Sequence, residues 1–443
     1  MTGLTERLAD FSSGLMYAAT RPEMADIVRL CLLDWSAVAL AGRGEPAGRI
    51  AREMVLAETG APESSLLGAS VKVPARAAAL ANGTISHALD YDDTHFGHVG
   101  HVSVAVIPAA LALAERQGAS GADLMAAIAA GSEVACRVGA WFGRAHYEAG
   151  FHQTATSGTF GATAAAARIL GLDPVTTAHA IGIAASRATG LRAPFGTMGK
   201  PLNAGLAASN GIEAALLAAN GFQSRRDALE CAGGFSETHA GDGGPVSDVL
   251  DGLGARYLFT GVQFKLHACC HGLHAALEAL AAIRTDDTLD LSDVARVTII
   301  ANPRWASVCN KPAPATGLEA KFSFALTAAM ALAGVETAAL ETYDAGVCVA
   351  PPLVALRDRV TVHFDPDTAD TASHVTVHIN DGATRVASHD LAIPMTRAER
   401  QAKVLAKART LLGEAHAERL WTAIQDLDSA GDLSDFINAL AHA

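Results

Sequence analysis

Acidic and imidazole side chains are concentrated in one short segment of this chain. From Asp90 to Ser103 the sequence holds three carboxylates, three imidazoles and two aliphatic hydroxyls. An apolar run, 104–113, follows at once, so these polar groups must be partnered or face a cleft, because unpaired buried charge is costly. Adjacent acids and imidazoles shift one another's pKa and can transfer protons. The pattern favours a proton-transfer site; the alternative is a solvated loop between two helices.

Two further candidates lie where helices are expected to begin. His152 precedes a Thr/Ser-rich helix start, where backbone N–H groups favour anions, although the hydroxyls are equally consistent with simple caps. Lys200 also stands at a predicted helix start, where a cation opposes the helix dipole. A residue placed against local preference indicates function. Tyr147 is a candidate proton donor or a packed ring, and Arg192 is a candidate carboxylate ligand or a structural arginine.

A third group of candidates begins at Lys265 and includes Cys269, Cys270, His271 and His274. Because Cys270 and His274 would lie one helical turn apart, a metal site and a Cys–His nucleophile are both alternatives here. The sequence offers no second Cys/His pair at zinc-finger spacing and no orienting partner. We therefore expect no metal, and we interpret the thiols as buried apolar side chains or pocket walls.

Helical patterns dominate up to residue 264 and return after residue 396. Apolar spacing, cap residues and alanine, the strongest helix former, indicate these helices. The predicted ranges are 21–42, 123–143, 159–170, a helix from 173, 200–220, 397–412 and 415–424. Within the fifth, small residues recur every three or four positions, which predicts a close contact with another helix. These residues are Gly205, Ala208, Gly211 and Ala215.

Strand patterns occur between residues 265 and 395, where alternating residues predict four strands. Their ranges are 296–300, 359–364, 374–379 and 385–390. Asp381-Gly382 between the last two predicts a hairpin, and helices are expected at 270–283 and 320–333. The expected fold is mainly α: a large all-helical domain built from 1–264 and 396–443, and a smaller inserted α+β lid domain, 265–395.

Composition limits the classes of partner and location. Of 443 residues, 50% are hydrophobic and 18% charged, which supports a large buried interior. The net charge of −13 disfavours nucleic acid and anionic membranes as partners. No apolar run reaches the roughly 18–20 residues of a membrane span, and the first ten residues lack the apolar core of a secretory signal. Seven scattered cysteines favour a reduced, cytoplasmic protein.

Four motifs, in order along the chain, resemble those of the MmgE/PrpD family. They are HALDYDDTH at 87–95, GFHQTATSGTFG at 150–161, MGKPL at 198–202 and KLHACCHG at 265–272. The family includes 2-methylcitrate dehydratase, cis-aconitate decarboxylase and iminodisuccinate epimerase. The resemblance implies an all-helical domain with an α+β lid, an active site to which both parts contribute, a homodimer, and no metal or organic cofactor. The resemblance also implies the residues of the site, which are Asp90, Thr94, His101, His152, Lys200 and Lys265.

The sequence departs from the family pattern at two places. Cys270, with His271 beside it, stands where dehydratase- and decarboxylase-like members often have a histidine. The helix around Leu326 lacks a tyrosine that is common there. The chain is also closer in length to the epimerase type, so the resemblance leaves the individual reaction open.

The resemblance also implies a mechanism. The family's reactions act on small di- or tricarboxylates, mostly at a carbon next to a carboxylate, and this chemistry needs cations against the developing charge and a base. Lys200 and Lys265 suit charge stabilisation; His152 suits the base, with Asp90 orienting and Tyr147 or His101 returning the proton. The expected substrate-binding residues are Thr94, Arg192, Ser103, Cys270 and His271.

The expected function is a cofactor-independent lyase or isomerase acting on a small anionic di- or tricarboxylate, either a dehydratase or an epimerase. A cis-aconitate-type decarboxylase and a non-catalytic organic-acid-binding protein remain the alternatives.

Overall fold

The computed structural model describes residues 3–240, 244–284 and 289–441. These residues form two compact units. The first contains the described residues up to Phe264 and those from Val404 onward, and the second is Lys265–Lys403. The sequence placed the return to the first domain at residue 396, whereas the second unit here extends into the helix Arg397–Leu412.

The first unit is built from long helices, and apolar and small residues fill its core. Up to residue 264, the helices are α1 (Leu4–Gly14), α2 (Pro22–Gly42), α3 (Pro46–Glu58), α4 (Ala75–His87), α5 (Ser103–Gln117), α6 (Gly121–Glu148), α7 (Gln153–Ile169), α8 (Pro174–Ala184), α9 (Gly199–Ala219) and α10 (Val246–Leu250). Two short strands, β1 (Ser64–Ser65) and β2 (Lys72–Val73), pair antiparallel. The mainly α fold is confirmed, but the description of this part as all-helical must be amended for that pair.

Helix α7 begins earlier than the sequence predicted, at Gln153 rather than near Thr159. The Thr/Ser-rich entry therefore lies inside the helix. Its hydroxyls are satisfied there, because Ser157 and Thr159 donate to the carbonyls one turn back, Gln153 and Ala155, at 2.7 and 2.8 Å. As a result, His152 becomes the residue immediately before the helix.

Small residues bring α9 very close to α4 and α7. A Cβ added to Gly205 would lie 2.2 Å from the carbonyl oxygen of Leu80, and one added to Gly211 would lie 2.5 Å from the Ala162 Cβ. Larger side chains at these two positions would push the helices apart. The predicted small-residue stripe therefore forms a helix–helix contact, and this contact fixes where the start of α9 lies.

The second unit combines short helices with a four-stranded sheet. Its helices are α11 (His274–Arg284), α12 (Ala306–Cys309), α13 (Gly317–Ala320), α14 (Phe324–Leu332), α15 (Ala345–Val349) and α16 (Pro351–Arg357). The strands are β3 (Val294–Ala301), β4 (Val360–Phe364), β5 (Ala372–Ile379) and β6 (Thr384–Asp390). The strand order is β4-β3-β5-β6, with β3 parallel to β4 and the other pairs antiparallel. The predicted hairpin is β5–β6, with Gly382 at φ 93° in its turn.

Three helices end the chain: α17 (Arg397–Leu412), α18 (Glu414–Gln425) and α19 (Ser434–Ala441). Among the helices of the described residues, none combines the length and apolar character that crossing a bilayer requires.

A buried ion pair ties α17 to the N-terminal part of the first unit. The Nζ of Lys407 donates to Asp34 Oδ1 at 2.6 Å and to the carbonyl oxygen of Tyr91 at 2.6 Å. Both charged side chains are only 1% exposed, and the ammonium lies 4.0 Å from the centre of the Tyr91 ring. Lys407 thus holds the backbone of the acid- and imidazole-rich segment in place.

Replacing Lys407 with methionine should destabilise the protein by about 3–5 kcal/mol, since it leaves Asp34 buried without its cation. The midpoint of urea unfolding measures this change. Lys403→Met on the same helix is the control, because Lys403 is 40% exposed in its ion pair with Glu278 and should cost about 1 kcal/mol or less. Equal midpoints for the two variants would contradict the anchoring role of Lys407.

Candidate active site

A buried carboxylate, Asp92, lies between two imidazoles. Its Oδ1 is 2.8 Å from the Nδ1 of His87, the last residue of α4, and its Oδ2 is 2.7 Å from the Nδ1 of His101, just before α5. Burial alone would raise the pKa of Asp92, but the two imidazoles lower it well below its usual range. Asp92 therefore stays ionised; its Oδ1 accepts a hydrogen bond from His87, and its Oδ2 faces the His101 ring at 2.7 Å as a charged neighbour without hydrogen-bond alignment.

This arrangement fixes the proton of His101. Carboxylates face both ring nitrogens, but Asp92 is the closer, at 2.7 against 3.3 Å, and Asp90 is already paired with Lys200. Because a lone pair on Nδ1 would face the Asp92 oxygen, Nδ1 carries the proton. Burial lowers the pKa of His101 to about 4, although Asp92 opposes that shift. Near neutral pH the ring is therefore neutral and keeps a lone pair on Nε2, which lies 3.3 Å from Asp90 Oδ1.

Asp90 pairs with Lys200 in the first turn of α9. The two groups are 2.7 Å apart; the carboxylate side chain is 39% exposed and the lysine side chain 14%. Asp90 has φ 50°, and Val99 in the same segment has φ 57°. A β-branched residue in this region is an outlier that surrounding contacts must hold in place. The segment therefore keeps a strained backbone next to its ionisable groups.

His152 approaches the same cluster from the start of α7. Its ring is 2% exposed, stacks 6.0 Å from His87 and meets Phe195 edge-on at 4.8 Å. Burial, assisted by His87 and Lys200, lowers its pKa well below the ordinary value. The structure thus brings together four sequence-predicted residues of the first unit: Asp90, His101, His152 and Lys200.

Arg192 and Tyr147 lie beside one another near Phe195. The Arg192 guanidinium is 3.8 Å from the centre of the Tyr147 ring and donates to the Tyr147 carbonyl at 2.9 Å. Phe195 lies 6.0 Å from this guanidinium and 5.3 Å from the Lys200 ammonium. The buried Nε of Arg192 has no hydrogen-bond partner among the described residues, so its N–H is a donor that these residues leave unused. The Tyr147 ring packs against the arginine.

Ser103 is buried and forms its hydrogen bonds within the protein. It is 1% exposed, its hydroxyl donates to Asp93 Oδ2, and its backbone N–H donates to Asp93 Oδ1 at 3.2 Å. Burial, reinforced by Asp34, raises the pKa of Asp93 to about 7. This position supports a structural role at the start of α5 for Ser103, against the expected substrate contact. Thr94 is half-buried and exchanges backbone hydrogen bonds with Gln263 at 2.8 and 2.7 Å.

The other sequence-predicted residues belong to the second unit. Lys265 is 4% exposed and His271 is 8% exposed. The backbone N–H of Cys270 donates to the Lys321 carbonyl at 2.9 Å, and its thiol lies 3.1 Å from that of Cys309. Burial raises the pKa of the adjacent Cys269 thiol to about 12, so that thiol is protonated and packs as an apolar group.

Sequence reasoning missed four residues of the cluster: His87, Asp92, Phe195 and Asn203. His87 and Asp92 lie in the first motif, 87–95. The motif therefore contained both residues, but it did not show that they contact each other. Asn203 follows Lys200 by three residues, which places both on one face of a helix. Phe195 carries no chemical signal.

A metal site can also be tested against this geometry. His87, Asp90, Asp92 and His101 offer ligand atoms that lie within 4.8 Å of one another, and imidazole and carboxylate suit zinc and similar ions. However, both oxygens of Asp92 already face imidazoles at 2.8 and 2.7 Å, and the Lys200 ammonium sits 2.7 Å from Asp90, where its charge would repel an added cation. The donor set therefore fits a proton-transfer cluster better than a metal centre.

Dialysis against a strong chelator should therefore leave turnover unchanged, with elemental analysis of the dialysed protein as the accompanying measurement. Loss of activity that returns on adding a divalent ion would assign these four residues to a metal.

Buried neutral histidines should make stability depend on pH. Burial lowers the pKa of His98 to about 3, against about 6.5 when unfolded, so the unfolded chain binds more protons between these values. The stability due to a neutral His98 is present above pH 6.5 and is lost as pH falls towards 3. Asp93, with its raised pKa, acts in the opposite direction between about pH 7 and 4, so wild-type stability alone is ambiguous.

A variant comparison isolates the histidine. The difference in urea midpoint between wild type and His98→Gln should shrink as pH falls from 7 to 4, because only wild type must then protonate or expose His98. A difference that stays constant with pH would show that His98 does not titrate in this way.

Comparison with known proteins covers nearly the whole chain. Residues 6–246 match the MmgE/PrpD N-terminal domain, and residues 267–429 match the C-terminal domain. A cis-aconitate decarboxylase-like protein of Aspergillus oryzae is 28% identical, covering 92% of this chain and 90% of its own. Human cis-aconitate decarboxylase is 29% identical (82% and 79%), and that of Aspergillus terreus 26% (99% and 96%).

The first three motifs and the acid–imidazole cluster lie within the first match, and residues 267–272 of the fourth motif lie within the second. The two matches confirm both the resemblance predicted from the sequence and the prediction of an enzyme of this type: the chain belongs to the MmgE/PrpD family.

Proposed function

We propose that this enzyme is a lyase that decarboxylates an unsaturated tricarboxylate of the cis-aconitate type, using its own side chains for proton transfer. The observation that carries the proposal is the cluster of Asp90, His101, His152 and Lys200, with Arg192 nearby. This cluster combines cations for substrate carboxylates with two imidazoles for proton movement. Relatives whose names specify cis-aconitate decarboxylation align over 82–99% of this chain, which supports this alternative over dehydration.

The chemistry of such a decarboxylation matches these groups. When the bond to a departing carboxylate breaks, its electron pair forms a new carbon–carbon double bond and CO2 leaves. The electrons of the original double bond then take up a proton at the carbon next to another carboxylate. Negative charge develops on that second carboxylate before the proton arrives. The reaction therefore needs a cation at that carboxylate and a proton donor at the carbon.

Lys200 and Arg192 are suited to hold substrate carboxylates. Lys200 is already poised beside one carboxylate, Asp90, at 2.7 Å. Arg192 adds a guanidinium whose Nε is not yet hydrogen-bonded within the described residues, and guanidinium groups bind carboxylates in a planar, bidentate manner. These positions support binding of a polyanionic substrate in the first unit.

The hydrogen bonds favour a reversal of the roles expected for the two histidines. His101, with its proton towards Asp92, presents a lone pair and suits the base. His152 accepts a hydrogen bond from Asn203 on its Nδ1 at 3.1 Å, so its proton is on Nε2 and it suits the donor. We therefore propose His152 as the group that delivers the proton from Nε2; the ring is left as an imidazolate and regains its proton from water before the next turnover.

Epimerisation is the second candidate function, and one observation favours it. An epimerase must remove a proton from one side of a carbon and return one from the other. A lone pair on His101 and an N–H on His152 provide such a pair. A dehydratase would use the same base, with the donor protonating a departing hydroxyl.

Proton NMR in deuterated buffer separates these reactions. The panel contains cis-aconitate, citrate, 2-methylcitrate, malate, tartrate and iminodisuccinate. Loss of a carboxyl carbon from cis-aconitate, with a new methylene group on a double bond, would support the proposal. Deuterium exchange with inversion would assign an epimerase, and a new vinyl proton from a hydroxy acid would assign a dehydratase. Absence of any reaction would favour the binding protein.

Lys200→Met and His152→Gln should each reduce kcat by roughly 100-fold or more, since they remove charge stabilisation and the proton donor. Steady-state kinetics on the substrate found above measures the loss. Arg187→Met is the matched control, because that cation is 43% exposed and paired with Glu213; it should retain near-normal kcat. Near-normal turnover of both site variants would remove Lys200 and His152 from the mechanism.

Other parts of the proposal rest on the family pattern and composition. Lys265 is proposed as a second charge-stabilising residue and Cys270 and His271 as substrate contacts, because they occupy the fourth motif. A homodimer and a cytoplasmic location are proposed on the same basis. Light scattering after size exclusion tests the dimer directly, and a monomer mass would overturn that part alone.

A further inference from the structure

We propose that Asn203 is a positioning residue that holds the His152 proton on Nε2 and so makes this imidazole a donor. The inference deepens the proposed function, on which its catalytic consequence rests. The tautomer itself does not depend on the reaction.

The orientation of the Asn203 amide follows from its two contacts. Its Nδ2 lies 3.1 Å from the carbonyl oxygen of Leu191 and 3.1 Å from the Nδ1 of His152. A carbonyl oxygen can only accept, so the end of the amide that faces it must be the NH2 group. The second N–H of that group then points at the imidazole, and His152 Nδ1 must accept it.

The Leu191 carbonyl, which orients the Asn203 amide, is itself held in place. Residues Phe151 and Leu191 form an antiparallel bridge, and the backbone N–H of His152 donates to the Gly190 carbonyl at 3.0 Å. Gly190 has φ 144°, and a Cβ there would lie 2.4 Å from that of Ala155. Because these contacts fix the Leu191 backbone to the segment that carries His152, the amide cannot turn over without losing this hydrogen bond.

The consequence for His152 is chemical. A neutral imidazole that accepts on Nδ1 carries its proton on Nε2. A second proton would place Nδ1–H against the amide N–H, inside a site where the ring is 2% exposed and Asn203 is 8% exposed. Asn203 therefore selects one tautomer and also opposes the doubly protonated ring.

His101 has the opposite partner. Asp92, a carboxylate 2.7 Å from its Nδ1, selects the tautomer with the lone pair on Nε2. The two imidazoles of the cluster thus carry their protons on different ring nitrogens. The amide of Asn203 places the proton of His152 on Nε2, and the carboxylate of Asp92 places that of His101 on Nδ1. Their roles as acid and base follow from these partners.

The same helix supplies a matched control. Asn210 lies two turns after Asn203, is 7% exposed, and likewise donates to a loop carbonyl, that of Arg187, at 3.0 Å. Its Oδ1 accepts from the Arg187 guanidinium at 3.3 Å. Asn210→Asp therefore makes the same isosteric change at a loop-holding asparagine that touches no imidazole.

The first measurement is nitrogen NMR of ligand-free protein labelled with ¹⁵N-histidine, in which protonated and unprotonated ring nitrogens have different chemical shifts. His152→Gln identifies the His152 signals. Wild type should show Nε2 protonated and Nδ1 unprotonated. In Asn203→Asp, an acceptor replaces the donor, so Nδ1 should gain a proton and the pKa of His152 should rise; Asn210→Asp should leave these signals unchanged. A wild-type His152 protonated on Nδ1 would overturn the inference without any variant.

Kinetics provides the second measurement. Asn203→Asp should lower kcat by about 100-fold above the raised pKa of His152, change KM by less than threefold, and move the basic limb of the kcat–pH profile to lower pH, because only the doubly protonated ring then carries a proton on Nε2. Asn210→Asp should change neither limb. A loss in Asn203→Asp with an unmoved pH profile would reduce Asn203 to a structural residue and overturn the positioning role. If no polycarboxylate reacts but the wild-type tautomer is as stated, the proposed function fails and the tautomer assignment stands.

Discussion

The structure of the site depends on one buried charge, the carboxylate of Asp92. A charge removed from water is tolerated only when several groups compensate it, and here His87 and His101 do so from opposite oxygens at 2.8 and 2.7 Å. This requirement fixes the end of α4 relative to the start of α5. It also explains why the intervening segment accepts positive φ angles at Asp90 and Val99: the carboxylate must reach both rings.

Helix ends converge on this charge, and close packing makes the convergence possible. His87 ends α4, His101 precedes α5, His152 precedes α7, and Lys200 and Asn203 lie in the first turns of α9. The N-termini of α5, α7 and α9 contribute partial positive charge, which suits an anionic substrate. Gly205 and Gly211 let α9 approach its neighbours closely enough for its first turn to reach the cluster.

Much of this could be predicted from the sequence, and the limits have physical reasons. The sequence predicted α2 and α17 almost to the residue, because Pro22 marks the start of α2 and Thr396 and Glu399 cap the start of α17. The start of α7 was placed too late in the sequence. Buried hydroxyls such as that of Ser157 donate to backbone carbonyls inside the helix, so the Thr/Ser-rich composition did not mark the helix N-terminus. Motifs identified Asp90, His152 and Lys200, but pairing through Asp92 depends on tertiary distances that no local pattern encodes.

The same limit explains why the roles expected from the resemblance differ from those proposed here for the two histidines. An imidazole is a base or a donor according to which nitrogen carries the proton, and that choice is made by the group facing the other nitrogen. Asp92 and Asn203 differ from each other only by an oxygen and an NH2 group on the same side-chain frame, yet they select opposite tautomers of His101 and His152. Exchanging such a partner would alter the direction of proton transfer without moving either ring. A set of shared motifs is therefore compatible with decarboxylation, dehydration and epimerisation, and the residues behind the imidazoles are the ones that must be examined to tell these reactions apart.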